Sequence, residues 1–431
     1  MLDLNLIFNK EKIGKLLYLL TFLFLILINF IYFYLHLTSN IEVSSYAFNE
    51  LFINYQAGFI RRGLLGEIAW QIDSIFSIKP IIFFGILFLV VFLSQVFIFF
   101  YLFKNYIDSK LIFILIFFSP SLLLFHIYSP DLYFIKDGII KFAILFHAFI
   151  FYYFVIIKKQ IKKYLDYLKF LIIPLLFVII LTHEYQVFSI PIHFLISFGI
   201  NKNKKALKDI IRVYLPLIIP TFLVIIFFGN ELQYENLSQI LTKYDVTLNP
   251  HLGGGFIKYL GAFYKWHFFY FKYEDFVNLF ASFLLGVFVI YFLFQFLIQN
   301  KILLFQNSYQ KNYYIYFIPT LIPFFLTTDH GRNLSLVAFY LVAFYSTLNF
   351  NKNSINKLNE KINNSLFKKS SFLIFLIFYI FMWKLNQFAG FPYDNSPSIF
   401  QSSLFAEFSK LIKFVYAYID LNIISLPEIK L

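Results

Sequence analysis

The sequence predicts an all-α, polytopic membrane protein of about eleven transmembrane helices, and three observations predict it. The 431 residues are 60% hydrophobic and only 14% charged, with a mean hydropathy of +0.74, too apolar for a soluble core and shell. The apolar residues come in repeated runs close to the roughly 20 that a helix needs to cross a bilayer. Lys and Arg fall unevenly between those runs, as the positive-inside rule requires.

The first span runs from about Leu16 to Leu37, behind Lys10, Lys12 and Lys15 and with no small-residue cleavage pattern after it. It reads as a retained helix rather than a removed signal peptide. A polar outer loop, 38–79, follows. The second span is Ile81–Phe103 and the third Leu111–Tyr128, kinked at Ser119-Pro120. Beyond the loop around Asp131, Lys136 and Asp137, the fourth span ends near Ile157, and a basic stretch, Lys158–Lys169, comes next. The fifth and sixth spans, Phe170–Leu181 and Val187–Ile200, form a short pair with Thr182-His183-Glu184-Tyr185-Gln186 between them. A second basic loop, Asn201–Arg212, leads into a seventh span reaching Phe228. The longest polar segment, 229–275, holds Gly253-Gly254-Gly255, which lacks the lysine and hydroxyl of a P-loop and reads as a flexible external loop. Phe276–Ile298, Tyr313–Leu326 and Leu334–Phe350 are the eighth to tenth spans, with Thr327–Asn333 as the turn before the tenth. A Lys- and Asn-rich loop precedes an eleventh, Phe372–Trp383. The spans form one domain, 1–386, and 387–431 is an outer-face tail whose Phe405–Ile419 has amphipathic spacing.

With the amino terminus in the cytoplasm, the inner segments receive the larger share of the 36 basic residues. The inner lysines lie in plain runs with Asn and Gln, whereas the outer basic residues lie in compact motifs. The 65 Phe and 32 Tyr are lipid-facing or packing residues by default. The absence of cysteine excludes disulfides, thiolate nucleophiles and thiolate metal sites. The excess of +13 follows membrane topology, so no nucleic-acid partner is expected.

The polar clusters that do not resemble loop filler all fall on the outer side: Glu50 with Arg61 and Arg62, Asp131 with Lys136 and Asp137, His183 with Glu184, and Asp329 with His330 and Arg332. Ionisable groups at membrane depth are costly and usually serve a site. Each cluster also has an ordinary reading, such as headgroup contacts for the arginines or a helix cap for Asp329. Convergence of the four on one cavity, with Arg62, His183, Glu184 and Asp329 lining it, is the expectation that gives them a joint function. His183-Glu184 is not a zinc signature, because the residue four after His183 is Val187. A divalent cation on Glu184, Asp329 and a phosphate suits the oxygen preference of hard cations, though no spacing demands one.

Arginines, a histidine and carboxylates at an outer membrane face suit glycosyl transfer from a polyprenyl-phosphate-linked sugar. The apolar donor lies in the bilayer and its phosphate needs cations. The acceptor, a glycan or lipid hydroxyl, needs a general base. Arg61, Arg62, Lys136 and Arg332 are the phosphate-binding candidates; Glu50, Asp137, His183, Glu184 and Asp329 are the catalytic ones.

The order NYQAGFIRRGLLGE, then SP with a Lys-acid pair, then HE at a helix end, then D-x-GR before a late span, resembles bacterial inner-membrane proteins of surface-polysaccharide synthesis. In outline it is also similar to GT-C-type glycosyltransferases. The resemblance implies a multi-pass inner-membrane enzyme using polyprenyl-linked donors at the periplasmic face. The first outer loop has Glu42 and Glu50, but no Asp, before the arginines, where GT-C enzymes keep an early acidic residue. The alternatives are a Wzy-type repeat-unit polymerase and a non-enzymatic transporter or flippase of the same anionic lipid-linked sugar.

Overall fold

The computed structural model describes residues 10–38, 50–106, 109–125, 133–200, 204–227, 231–244, 246, 273–326, 330–357 and 379. The expected eleventh span apart from Tyr379, the 387–431 tail, the triple glycine, Asp131 and Asp329 lie outside them. The described chain is dominated by helix. Among the described residues, six helical segments are long and apolar enough to cross a membrane: Lys15–Tyr34, Pro80–Tyr106, Asp137–Ile157, Ile161–Thr182, Leu207–Ile226 and Leu279–Gln299.

Helix α1 (Lys10–Thr38) packs on α3 (Pro80–Phe103). Proline opens α3, at a position where its missing N–H costs nothing. Between them, the short α2 (Leu64–Phe76) folds back onto the loop before it. Gly66 makes this approach feasible, since a Cβ there would lie 2.1 Å from the Ile53 carbonyl oxygen. Helix α4 (Lys110–Phe117) ends where the sequence suggested only a kink, and turns occupy the residues after it. The break is held by hydrogen bonds: Ser121 donates to the Gly286 carbonyl at 2.7 Å, and Ser335 donates to the Ser121 carbonyl at 2.7 Å. A helix can open inside a membrane protein when neighbours satisfy the freed groups.

Helix α5 (Asp137–Phe151) continues through a π segment to Ile157. The chain returns through α6 (Ile161–Tyr167), a π segment (Leu168–Ile172) and α7 (Ile173–Thr182). The fifth span is therefore not short. Most of the basic stretch read as a loop is helical, with Lys162, Lys163 and Lys169 exposed on its outer face. Long lysine stems can lie along apolar surface while their heads reach water. Pro174 lies two residues past the end of the π segment, and its missing N–H disrupts the ordinary ladder.

Helices α8 (Gln186–Phe198), α9 (Lys204–Tyr214), α10 (Ile218–Ile226) and α11 (Glu231–Leu241) follow. The second basic loop is thus also largely helical. Helices α12 (Tyr273–Phe283) and α13 (Val289–Gln299) join through a π segment. Next come α14 (Ser308–Lys311), α15 (Tyr314–Phe317) and α16 (Ile322–Leu326). The expected ninth span is in short pieces, with Pro319 and Pro323 interrupting it. The last helix, α17 (His330–Ser346), is buried along its whole length and packs against α5 at the centre of the bundle. Beyond it, β2 (Asn349–Phe350) pairs antiparallel with β1 (Leu303–Leu304).

Candidate functional site

The starts of α5 and α17, the end of α7 and the loop before α2 meet at one end of the bundle. The opposite end carries Lys158, Lys159, Lys162, Lys163, Lys208 and Arg212, all exposed. At the meeting point lies a continuous ionic network built from residues far apart in sequence.

Arg62 is its hub. Its Nε donates to Glu184 Oε2 at 2.6 Å and its Nη1 to Glu50 Oε1 at 2.8 Å, while Nη2 donates to Glu184 Oε1. The planar fork makes a bidentate grip on Glu184 that a lysine could not reproduce. The backbone of Arg62 is left-handed, with φ of 67°, a conformation that costs a non-glycine residue about 1–3 kcal/mol and persists only where its surroundings impose it. Here Lys136 Nζ donates to the Arg62 carbonyl at 2.9 Å, fixing the backbone while the two carboxylates fix the side chain.

Arg61 Nη1 lies 3.8 Å from Glu184 Oε1. On the far side, Arg332 in the first turn of α17 binds Asp137 through Nε at 2.7 Å and Nη2 at 2.9 Å. His183 connects the halves. Its Nε2 is 3.3 Å from Asp137 Oδ1 and its Nδ1 is 3.8 Å from Glu184 Oε2. The contact to Asp137 is off the line of a hydrogen bond, while Nδ1 accepts the Tyr185 backbone N–H at 3.3 Å.

The network is deeply enclosed. Side-chain exposure is 3% for Glu50 and 1% for Asp137 and His183, rising to 14% for Arg61 and 16% for Glu184, which form its open edge. Burial alone would raise the Glu50 carboxyl, but Arg62, Lys136, Arg332 and His183 outweigh it and hold it below its ordinary value. Glu184 lies further below, because Arg62 and Arg61 overcome the same burial penalty. Burial pushes the Lys136 ammonium down to about 8, with Glu50 partly offsetting it.

Eight of the nine residues selected from sequence therefore lie in one network; the ninth, Asp329, is outside the described residues. Glu67 is turned to a different task. It accepts the Tyr55 backbone N–H at 3.0 Å and the Gln56 amide at 2.9 Å, so it ties down the arginine loop. The sequence reading missed Lys141, fully buried one helical turn past Asp137, with its ammonium 4.3 Å from the centre of the Phe125 ring. An acid and a lysine four apart inside an otherwise apolar run was the available signal.

Beside the arginine loop, Gln56, Ala57, Asn236, Gln239 and Ile240 line an open groove of about 510 Å³. Its polar lining is entirely carboxamide, suited to neutral hydroxyl-rich ligands rather than anions. Among the described residues, no group of three or more His, Cys, Asp or Glu is arranged to hold a metal.

The helices and the ionic network together define an all-α membrane protein with a charged site at one end of its bundle. No protein-family model, curated protein or solved structure matches the chain.

Proposed function

We propose that the chain is a multi-pass glycosyltransferase of the bacterial inner membrane, acting on polyprenyl-phosphate-linked sugars at the periplasmic face in surface-polysaccharide assembly. The observation that supports this most is the convergence of four separate motifs on one buried ionic network whose open edge is Arg61 and Glu184. The donor phosphate meets Arg61 and Arg62 at that edge and competes with Glu184 for their guanidinium groups. Once released, Glu184 regains the basicity of an ordinary carboxylate.

Its oxygen then takes the proton of the acceptor hydroxyl. The acceptor oxygen bonds to the anomeric carbon as the bond from that carbon to the phosphate oxygen breaks. The two arginines stabilise the departing polyprenyl phosphate. Glu50, Asp137, Lys136 and Arg332 hold the fork and the His183 ring in place, and the neutral groove beside Gln56 suits a glycan acceptor.

A second reading, transport of the same lipid-linked anion, is favoured by the saturation of every carboxylate in the network with arginine. The test is a surface-glycan profile of a deletion strain complemented with wild type, Arg62→Ala or Glu184→Gln, at matched protein levels. Restoration by wild type alone, with truncated or lipid-linked glycan accumulating in both variants, supports transfer. Full complementation by Glu184→Gln with failure of Arg62→Ala favours transport, and an unchanged glycan on deletion overturns both.

A further inference from the structure

A second polar assembly lies inside the bundle, separate from the ionic network. Gln186 Nε2 donates to Ser189 Oγ at 2.6 Å and contacts His193 Nε2 at 3.2 Å. His193 Nδ1 and His147 Nδ1 are 2.8 Å apart, with the two rings within 8° of parallel. His147 Nε2 contacts the Tyr164 hydroxyl at 2.8 Å. Tyr164 contacts Ser197 Oγ at 2.9 Å, and Ser197 contacts the Tyr214 hydroxyl at 2.9 Å. Of these seven side chains, six have no exposed surface and Tyr214 has 3%.

The chemistry of this row is more constrained than that of a packing network. Two imidazole nitrogens at 2.8 Å must share one proton, so one histidine carries Nδ1–H and the other does not. When the Gln186 amide donates to His193 Nε2, neutral His193 must donate to His147 and His147 to Tyr164, and the hydroxyls beyond can carry the same sense on to Tyr214. When the amide is turned over, with its oxygen facing His193, every bond reverses. The arrangement with the amide donating leaves Gln186 Oε1 buried without a hydrogen-bond partner, and the two arrangements differ by one proton moved along the row.

The row also has direction in the fold. Gln186 lies beside the charged network, its backbone N–H bonded to the His183 carbonyl at 3.1 Å. Tyr164 and Tyr214 lie at the opposite end, on helices whose outer positions carry exposed Lys162, Lys163, Lys208 and Arg212. From Gln186 to Ser197 the row follows α8 for roughly 16 Å, about half of the hydrocarbon thickness.

We propose that His193, His147, Tyr164, Ser197 and Tyr214 form a proton relay between the charged network and the basic end of the bundle, with Gln186 as its gate. A proton added at His193 Nε2 releases the Nδ1 proton to His147 Nδ1. His147 passes its Nε2 proton to the Tyr164 oxygen, Tyr164 passes its own to Ser197, and Ser197 to Tyr214, whose own hydroxyl proton passes to solvent water at the basic end. Each group ends with the number of protons it began with. The carboxamide cannot carry the extra proton, so it stops the row until the His183–Glu184 turn, to which it is bonded, moves. Only the source of the proton, an acceptor hydroxyl at Glu184, rests on the proposed function.

Full-length protein in phosphatidylethanolamine–phosphatidylglycerol vesicles, with pyranine inside and a valinomycin-imposed potassium potential, tests the relay without any sugar substrate. Wild type is expected to acidify no faster than protein-free vesicles. Gln186→Glu replaces the gate with a group that can exchange protons and is expected to raise the rate several-fold. Gln186→Glu with Tyr164→Phe is expected to return it to baseline, whereas Gln186→Glu with Tyr101→Phe, outside the row, keeps the increase. A folded Gln186→Glu protein without a leak, or a leak that survives Tyr164→Phe, overturns the relay. Nitrogen-15 spectra of labelled histidines give a second readout. A coupling between the two Nδ1 atoms is expected, and two imidazoles each protonated at Nδ1 would also overturn it.

Discussion

Arg332 and Asp137 join the first turns of the two central helices through parallel hydrogen bonds of 2.7 and 2.9 Å. Neither side chain is more than 4% exposed, so the pair fixes the relative depth of α5 and α17 and, through them, the position of the His183 ring.

Removing one member takes from the other its paired buried charge, which costs about 3–5 kcal/mol. Arg332→Gln and Asp137→Asn are each expected to lower the melting temperature in detergent sharply. The double variant is expected to lose less than the two single losses added together. Strict additivity in a double-mutant cycle would show that the pair is not coupled.

Gly66→Ala introduces a Cβ that would lie 2.1 Å from the Ile53 carbonyl oxygen and 2.8 Å from that of Leu51. Backbone on both sides cannot yield as a side-chain tip does, so α2 must lift away from the arginine loop. The expected result is faster protease cleavage between 50 and 80 and, on the proposed function, loss of surface glycan. Gln71→Ala on the same helix, which removes a 2.7 Å bond to Glu67 at an exposed site, is expected to change little.

Lys136 titrates at about 8 in the folded protein, against its ordinary 10.5. Burial therefore penalises its charged form, and the penalty is fully present below pH 8. Between pH 8 and 10.5 the unfolded chain binds more protons than the folded one, so this lysine's contribution to stability improves as pH rises. Lys136→Met removes that contribution. The melting temperature of wild type relative to the variant is expected to increase across the window, and a constant difference would contradict the assignment.

Ser121→Ala removes the buried hydrogen bond to the Gly286 carbonyl at the break after α4. Losing one such hydrogen bond costs about 0.5–1.5 kcal/mol. The same substitution at Ser74, whose hydroxyl bonds locally on an exposed surface of α2, is expected to stay near wild type in the same thermal assay.

The broad architecture was legible because bilayer thickness imprints itself directly on run length, as in α1 and α3. Helix ends in the basic stretches were not legible. Lys162, Lys163 and Lys169 look like loop by composition, yet they occupy the exposed side of a helix whose Tyr164 and Leu168 are fully buried. The candidate site was found through charges in places where charge is expensive, such as Arg62 and Asp137. Its pairings were invisible, since Arg62 and Glu184 are 122 positions apart. The His147–His193 contact escaped for a related reason: each is a lone histidine in an apolar run, and only the packing of α5 against α8 brings them together.

The small ladder between Leu303–Leu304 and Asn349–Phe350 acts as a mooring. With the Asn351 N–H bonded to the Ile302 carbonyl at 2.8 Å, it ties the foot of α17 to the foot of α13, a full helix length from Arg332. A piston-like stroke of α17 along its own axis would have to tear this mooring, whereas swivelling about it would not. Motion at the charged end is thus confined to tilting and twisting around a fixed base.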